Sequence, residues 1–440
     1  MIFNKETDKL LLINVPPIQE VIPLNTGLGY LKAYLDLNNI QNSLINLNKE
    51  YNTNVSNKDT YLVQYDKYDE YEKHFINELE ILSNLLKKYE KDFFENNIIC
   101  FSIFDFECFK LYEKIFDTLT EFGWLNNKQI ILGGNFFLHF DHKEKYSYLI
   151  NENIDICFTL GEYYFQEVYN LPEIELYSYA QYLDENTCDL SLTPMIHFSR
   201  GCINSCVFCP HRKLNGGKLR FRNINNIISE ITNIKKKHNI SNFWIDTDNI
   251  SNDIKRLHEF AKKLILYNKE RISWKVNFSL QTKYNEEIDF KLLKRAGCDI
   301  LMFGLESFSE STRKNMNKPA YSNQDIFNLA ENCQKHNIKL FINIISGFIT
   351  ETESEFLNSL EIFKKFYEQY KDVLLYVVVN SYYIFSEDSY CGYDVEFDEN
   401  GYWKYKDNTK EIRDQRLHKF IDFLNSNNIN SKFTNNIETI

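Results

Sequence analysis

The chain has 440 residues and a formal net charge of −12, with 43% hydrophobic and 25% charged residues, which predicts two or three globular domains and excludes a disordered chain. The acidic balance argues against a general nucleic-acid binder, and ten scattered cysteines are too few for a disulfide scaffold. No run of 18 apolar residues marks a membrane span and the first residues do not read as a signal peptide, so a cytoplasmic setting without membrane or nucleic-acid partners is expected.

In chain order, Lys9 to Val15 is a short apolar run that predicts a buried parallel strand, stopped by Pro16 and Pro17. Leu28, Leu31 and Leu35 then follow a helical period. Further strands are predicted at Ser43 to Leu47, Ile98 to Phe104, Gln129 to Leu132 and Ile154 to Leu160, with an amphipathic helix over Phe109 to Phe122. Residues 51–97 form an insertion in which Asp69 to Phe94 predicts an exposed amphipathic helix. Alternating strands and helices predict a Rossmann-like, doubly wound parallel sheet over residues 1–170. Ligands of such sheets lie at the carboxyl ends of the strands, where Pro16, Ser102, Gly133, Gly134, Gly161 and Glu162 fall.

A linker is expected at 171–192. Thr193 to Arg200 is a strand that runs into Cys202, Cys206 and Cys209 in a C-x3-C-x2-C pattern. Three thiolates on so short a loop can share one metal centre. A cubane iron–sulfur cluster normally takes four cysteines, so three would leave one iron open. A Cys3His zinc site that includes His211, or three unrelated thiols, also fits the spacing. After the loop, strands are predicted at Asn242 to Ile245, Ile272 to Leu280, Ile300 to Leu305, Lys339 to Ile345 and Val373 to Val379, with helices between them. Gly297 reads as a helix stop. The repeat predicts a (βα)6 partial barrel over 193–385, whose site lies at the carboxyl ends of its strands. Asp246, Asp248, Glu306, Ser346 and Gly347 stand at those ends. Residues 386–440 predict a small α/β extension with a turn at Asn400-Gly401 and a helix over Ile412 to Leu424.

The cysteine loop, with Phe208 before its last cysteine, resembles the signature of the radical SAM superfamily, C-x3-C-x-aromatic-C. The order of strands and helices after it resembles that family's core. The resemblance implies a 4Fe-4S cluster on the three cysteines and S-adenosylmethionine on the open iron, cleaved reductively to a 5′-deoxyadenosyl radical. An electron donor such as flavodoxin or ferredoxin follows from it. It also implies that Phe208 lies beside the adenine, that Glu306 contacts the ribose or methionine portion, and that Ser346 and Gly347 lie near the adenine. Asp246 and Asp248 stand where the family often has Gly-Gly-Glu, which receives the methionine amino group; that sequence is absent here. Asn14-Val-Pro-Pro, Leu28-Gly-Tyr-Leu, Phe101-Ser-Ile, Leu132-Gly-Gly and Leu160-Gly-Glu resemble, in order, the cobalamin-binding domain that precedes many such cores. The D-x-H-x-x-G motif that supplies an axial histidine in other cobalamin proteins is missing. The resemblance implies cobalamin-dependent methylation of an unactivated carbon on a small-molecule or peptide substrate. A radical cyclisation, rearrangement or crosslink is the alternative, and a non-catalytic iron–sulfur sensor is a third reading.

Overall fold

The computed structural model describes residues 3–16, 26–49, 82–104, 106–138, 145–171, 177–184, 193–209, 211, 218–267, 271–280, 288–382, 384, 392–397 and 402–434. Pro17 and the Asn400-Gly401 turn lie outside them. The chain divides into two compact units, Met1–Ile196 with Asn225–Ile240, and His197–Ile224 with Ser241–Ile440.

The first unit contains β1 (Lys9–Asn14), α1 (Thr26–Leu37), β2 (Gln41–Asn46), α2 (Glu90–Glu95), β3 (Ile98–Ser102), α3 (Phe106–Glu121), β4 (Gln129–Gly133), β5 (Ile154–Ile156) and α4 (Gly161–Val168). Its five strands form one parallel sheet in the order β2-β1-β3-β4-β5. Strand order reverses beside β1, as in a doubly wound sheet. Leu10 to Ile13 and Ile98 to Phe101 are buried without alternation, as strands covered on both faces must be. The insertion helix departs from expectation. Its described part, residues 82–87 and then α2, is interrupted by a turn at Lys88–Tyr89. Leu82, Leu85, Leu86 and Phe93 are buried in the core of this unit, so the segment contributes to that core.

The chain continues with β6 (Met195–His197), β7 (Ser199–Arg200), β8 (Arg220–Phe221), α5 (Ile224–His238), β9 (Asn242–Asp246), α6 (Ile254–Tyr267), β10 (Ser273–Phe278), α7 (Phe290–Arg295), β11 (Cys298–Glu306), α8 (Glu310–Asn315), α9 (Asn323–His336), β12 (Lys339–Ser346), α10 (Glu353–Tyr370) and β13 (Leu374–Ser381). The tail adds β14 (Glu396–Phe397), β15 (Trp403–Lys404), α11 (Lys410–Ser426) and β16 (Ser431–Thr434). A seven-stranded sheet runs β16-β13-β12-β11-β10-β9-β6. Strands β9 to β13 pair in parallel, and β16, which the sequence pattern did not predict, extends the sheet in parallel beside β13.

These strands alternate. Trp274, Val276 and Phe278 of β10 and Leu340, Ile342 and Ile344 of β12 are buried. Their neighbours Lys275, Asn277, Phe341 and Asn343 are half-buried on the opposite face. On that face the Lys275 ammonium lies 4.2 Å from the centre of the Trp244 ring, and Phe341 stacks on Tyr376 at 5.3 Å. Gly297 ends the helix before β11 with φ +96°, and a Cβ there would stand 2.0 Å from the Ile272 carbonyl oxygen, so only glycine fits. Side-chain caps start several helices: Ser322 and Thr352 form capping boxes with Asp325 and Glu355.

Candidate functional site

The cysteine loop leaves the barrel between β7 and β8, which pair antiparallel through Ser199↔Phe221 and Arg200↔Arg220. This two-residue clasp closes the base of the loop. Gly201 follows it with φ +93°, and a Cβ there would lie 2.1 Å from the Lys218 carbonyl oxygen. The Arg256 guanidinium covers the rings of Phe198, just before β7, and Phe221 of β8 at 5.4 and 4.8 Å.

Two segments then grip the loop. On one side is the turn after β9. The Gly201 N–H donates to Asp248 Oδ2 at 2.7 Å, and Asn252 Nδ2 donates to the Gly201 carbonyl at 3.2 Å. Asn252 Oδ1 accepts the Ile203 N–H at 3.4 Å and lies 3.6 Å from the Cys202 sulfur. Asn249, buried, ties this turn to β10 by accepting the Ser279 N–H at 3.0 Å. On the other side is the turn after α8. The Val207 N–H donates to the Met316 carbonyl at 3.1 Å, and Asn317 Nδ2 donates to Ser205 O at 2.8 Å and Oγ at 2.9 Å.

Cys202, Cys206 and Cys209 are each partly buried and unbonded to one another. Burial pushes the Cys206 thiol up to about 11 and the Cys209 thiol up to about 12, and neighbouring thiols add to both. As the side chains stand, no group of three or more His, Cys, Asp or Glu among the described residues is set to hold a metal ion.

Asp246 pairs with the Nδ1 of buried His197, whose Nε2 lies 3.3 Å from the Arg200 guanidinium. Burial holds His197 below the ordinary histidine range, against the pull of Asp246. Asp248 also pairs with His211 Nδ1 at 2.9 Å. Both aspartates therefore have protein partners at the strand end. Glu306, 8% exposed, closes β11 where the pairing with β12 slips by one residue. Its φ is +70°, a conformation that is costly for any side-chain-bearing residue. The Lys318 ammonium lies 3.3 Å from its Oε1, and burial raises its pKa while Lys318 opposes the rise. A Cβ at Gly304 would stand 2.9 Å from the same oxygen.

Ser346 ends β12, and its buried Oγ has no partner among the described residues. Gly347 has φ +80° and donates its N–H to Glu351 Oε2 at 2.7 Å; the Arg413 side chain of α11 covers it. Phe208 packs on the cluster of Met316, Phe348, Ile349, Tyr382, Ile384 and Trp403, which also receives Tyr393, Val395 and Phe397 of the tail. The tail thus walls the same side of the loop.

In the first unit, Asn14, Ser102 and Gly133 stand in register across β1, β3 and β4, so Pro16, Ser102, Gly133 and Gly134 share the carboxyl end of the sheet. Gly161 and Glu162 open α4 after β5. Gly134 has φ +103°, and a Cβ there would meet the Ile103 carbonyl oxygen at 2.3 Å; one at Gly161 would meet Leu31 at 3.0 Å. Gly134 is required by packing of the chain on itself, while a Cβ at Gly161 would press only on the Leu31 side chain.

Asn252, Met316 and Asn317 carry the grip on the loop, and sequence reasoning passed over them. They stand in short turns and a single 3-10 turn, too brief for any period to mark them.

A parallel partial barrel with a braced three-cysteine loop at its carboxyl end is the architecture of a radical SAM core. Residues 196–363 match the model of the radical SAM superfamily. The chain is 27% identical over 161 residues to bacteriochlorophyllide d C-12(1)-methyltransferase of Chlorobaculum tepidum, covering 36% of this chain and 34% of that protein. It is 30% identical over 173 residues to the ribosomal protein uS12 methylthiotransferase RimO of Clostridium acetobutylicum, covering 37% of each. The chain thus matches about a third of the length of these curated relatives. Among solved structures, the radical S-adenosylmethionine methyltransferase TsrM of Kitasatospora setae superposes with a TM-score of 0.63 at 13% identity, over 85% of this chain and 75% of that one. The cobalamin-dependent S-adenosylmethionine radical enzyme OxsB superposes with a TM-score of 0.59 at 18% identity, over 95% and 56%. The chain carries a radical SAM superfamily domain, preceded by a doubly wound parallel sheet, in the fold that TsrM and OxsB share.

Proposed function

We propose that this chain is a radical SAM enzyme that holds a 4Fe-4S cluster on Cys202, Cys206 and Cys209, binds S-adenosylmethionine at the open iron, and methylates an unactivated carbon with cobalamin held by the first unit. The braced three-cysteine loop carries this reading. Three thiols on it, and no fourth cysteine beside them in the sequence, suit a cluster with one iron free for a cosubstrate. The reading of the first unit is supported by Pro16, Ser102, Gly133 and Gly134, which lie together at the carboxyl end of its sheet, where a flat cofactor would be held. When bound, the cluster supplies the electron that breaks the sulfonium bond, and cobalamin supplies a methyl carrier.

The chain's own residues have the following roles in this reading. The turns at 248–252 and 316–318 fix the loop, so that loading the cluster does not have to order it. Phe208 offers a face to the adenine. Glu306, strained and buried, offers a carboxylate to the ribose or the methionine amine. The Ser346 hydroxyl is an unspent buried donor at the strand end, where a polar cosubstrate atom would satisfy it. Asp246 and Asp248, already bonded to His197 and to Gly201 and His211, orient the loop and its flank, while Gly347 gives Arg413 room to close the barrel. The substrate is a small molecule or a peptide, and an electron comes from a flavodoxin- or ferredoxin-type donor.

The test is anaerobic reconstitution with iron, sulfide and cobalamin. About four irons and four sulfides per chain, retained cobalamin, and 5′-deoxyadenosine formed with S-adenosylmethionine and reductant are expected, by the cluster stoichiometry. Zinc without sulfide would replace this reading by a Cys3His site, and a loaded cluster without retained cobalamin would remove methylation.

A further inference from the structure

Lys318 stands at one end of the turn that grips the cysteine loop. Its neighbours Met316 and Asn317 bond Val207 and Ser205, the residues on either side of Cys206. The turn is itself rigid. Asn317 takes φ +54°, the Lys318 N–H donates to the Arg313 carbonyl at 3.0 Å, and buried Arg313 donates to Ser307 O at 2.6 Å and Tyr321 O at 3.0 Å. The Lys318 side chain is 5% exposed, and its ammonium donates to the Gly304 carbonyl at 2.7 Å. Glu306 is its counter-charge, at 3.3 Å.

A desolvated lysine in a rigid turn is a poor choice for packing alone, since an apolar residue would hold the turn at less cost. We propose that Lys318 is a fixed positive charge that sets the reduction potential of the cluster on this loop. Reduction adds one electron to the cluster, and a cation buried on the turn that bonds both neighbours of Cys206 stabilises the reduced form more than the oxidised one, because little water screens it. Glu306 moderates the effect. Lys318 is a positioning residue in this role: it acts through the cluster's charge and touches no reacting atom.

This inference rests on the cluster reading above, and iron and sulfide content of the unaltered protein tests that reading separately. The inference itself is tested by the midpoint potential of the reconstituted protein without S-adenosylmethionine, from a redox titration followed by the EPR signal of the reduced cluster. Lys318→Met is expected to lower the potential, making the cluster at least tenfold harder to reduce, about 59 mV for a one-electron couple. Glu306→Gln, nearly isosteric, is expected to move it the opposite way because it unmasks the lysine, and it decides the matter if Lys318→Met does not load a cluster. A loaded Lys318→Met with an unchanged potential, or a loaded Glu306→Gln whose potential falls or stays, overturns the proposal. A Lys318→Met that changes only the affinity for S-adenosylmethionine overturns it as well, and assigns the ammonium to the cosubstrate.

Discussion

Asp248 accepts the backbone N–H of Gly201 at 2.7 Å, so the turn after β9 holds the residue immediately before the first cysteine of the loop. A hydrogen bond to a charged acceptor contributes about 1.5–3 kcal/mol net, more than an ordinary backbone bond. Asp248→Ala is therefore expected to leave the barrel folded but to loosen the loop at its entrance. Reconstituted Asp248→Ala should lose iron severalfold faster to a chelator than the unaltered protein. Equal rates of loss would mean that Asp248 serves something other than the loop.

Gly134 offers a test of the first unit. Gly134→Ala adds a Cβ 2.3 Å from the Ile103 carbonyl oxygen, on a backbone at φ +103°. Left-handed strain alone costs about 1–2 kcal/mol, and the clash with backbone adds to it. Gly392, at φ +79° with nothing within 4 Å of its Cβ position, is the control. Thermal melts should show Gly134→Ala destabilised by clearly more than Gly392→Ala. Equal losses would mean that β4 shifts to relieve the contact.

Glu351 predicts a pH dependence. Burial, opposed by the Gly347 N–H and Arg416, raises its carboxyl to about 7 from the ordinary 4.5, with Glu355 and Glu353 adding to the rise. Between these values the folded protein binds a proton that the unfolded chain has released, so stability falls as pH rises through the window and is flat above it. The loss amounts to about 3 kcal/mol. Glu351→Gln keeps an acceptor for Gly347 and cannot ionise. Melts of the metal-free protein from pH 4.5 to 7.5 should show the variant gaining on the unaltered protein as pH rises. Parallel curves would mean that Glu351 stays ionised, with Arg416, whose guanidinium lies 3.9 Å away, holding its charge.

Much of this fold was legible because its strands are short apolar runs and its helices are periodic. The strands β1, β3, β4 and β9 to β13 lie where apolar patterning put them, within a residue or two at most ends. The glycine stop at Gly297 was readable for one reason and is required for two, since Ile272 also crowds it. The clasp of β7 and β8 was not legible, because two-residue strands have no period. Strand β16 was missed for the same reason: Ser-Lys-Phe-Thr reads as a strand only once β13 lies beside it. The insertion helix was read as exposed, yet Leu85 and Phe93 are buried, because its apolar face meets a core that no local pattern announces. In the site, cysteine spacing and strand-end position pointed to residues that stand at the loop and strand ends. Which of them are already spoken for was not readable, because the partners of Asp246 and Asp248 lie 35 or more residues away in sequence, at His197, Gly201 and His211.

The account stands most directly on the products of S-adenosylmethionine. The anaerobically reconstituted chain, given S-adenosylmethionine and a strong reductant, is expected to form 5′-deoxyadenosine, while the Cys202→Ala, Cys206→Ala and Cys209→Ala variants form none. A protein that carries four irons per chain and forms no 5′-deoxyadenosine, or a cysteine variant that forms as much as the unaltered chain, would contradict it.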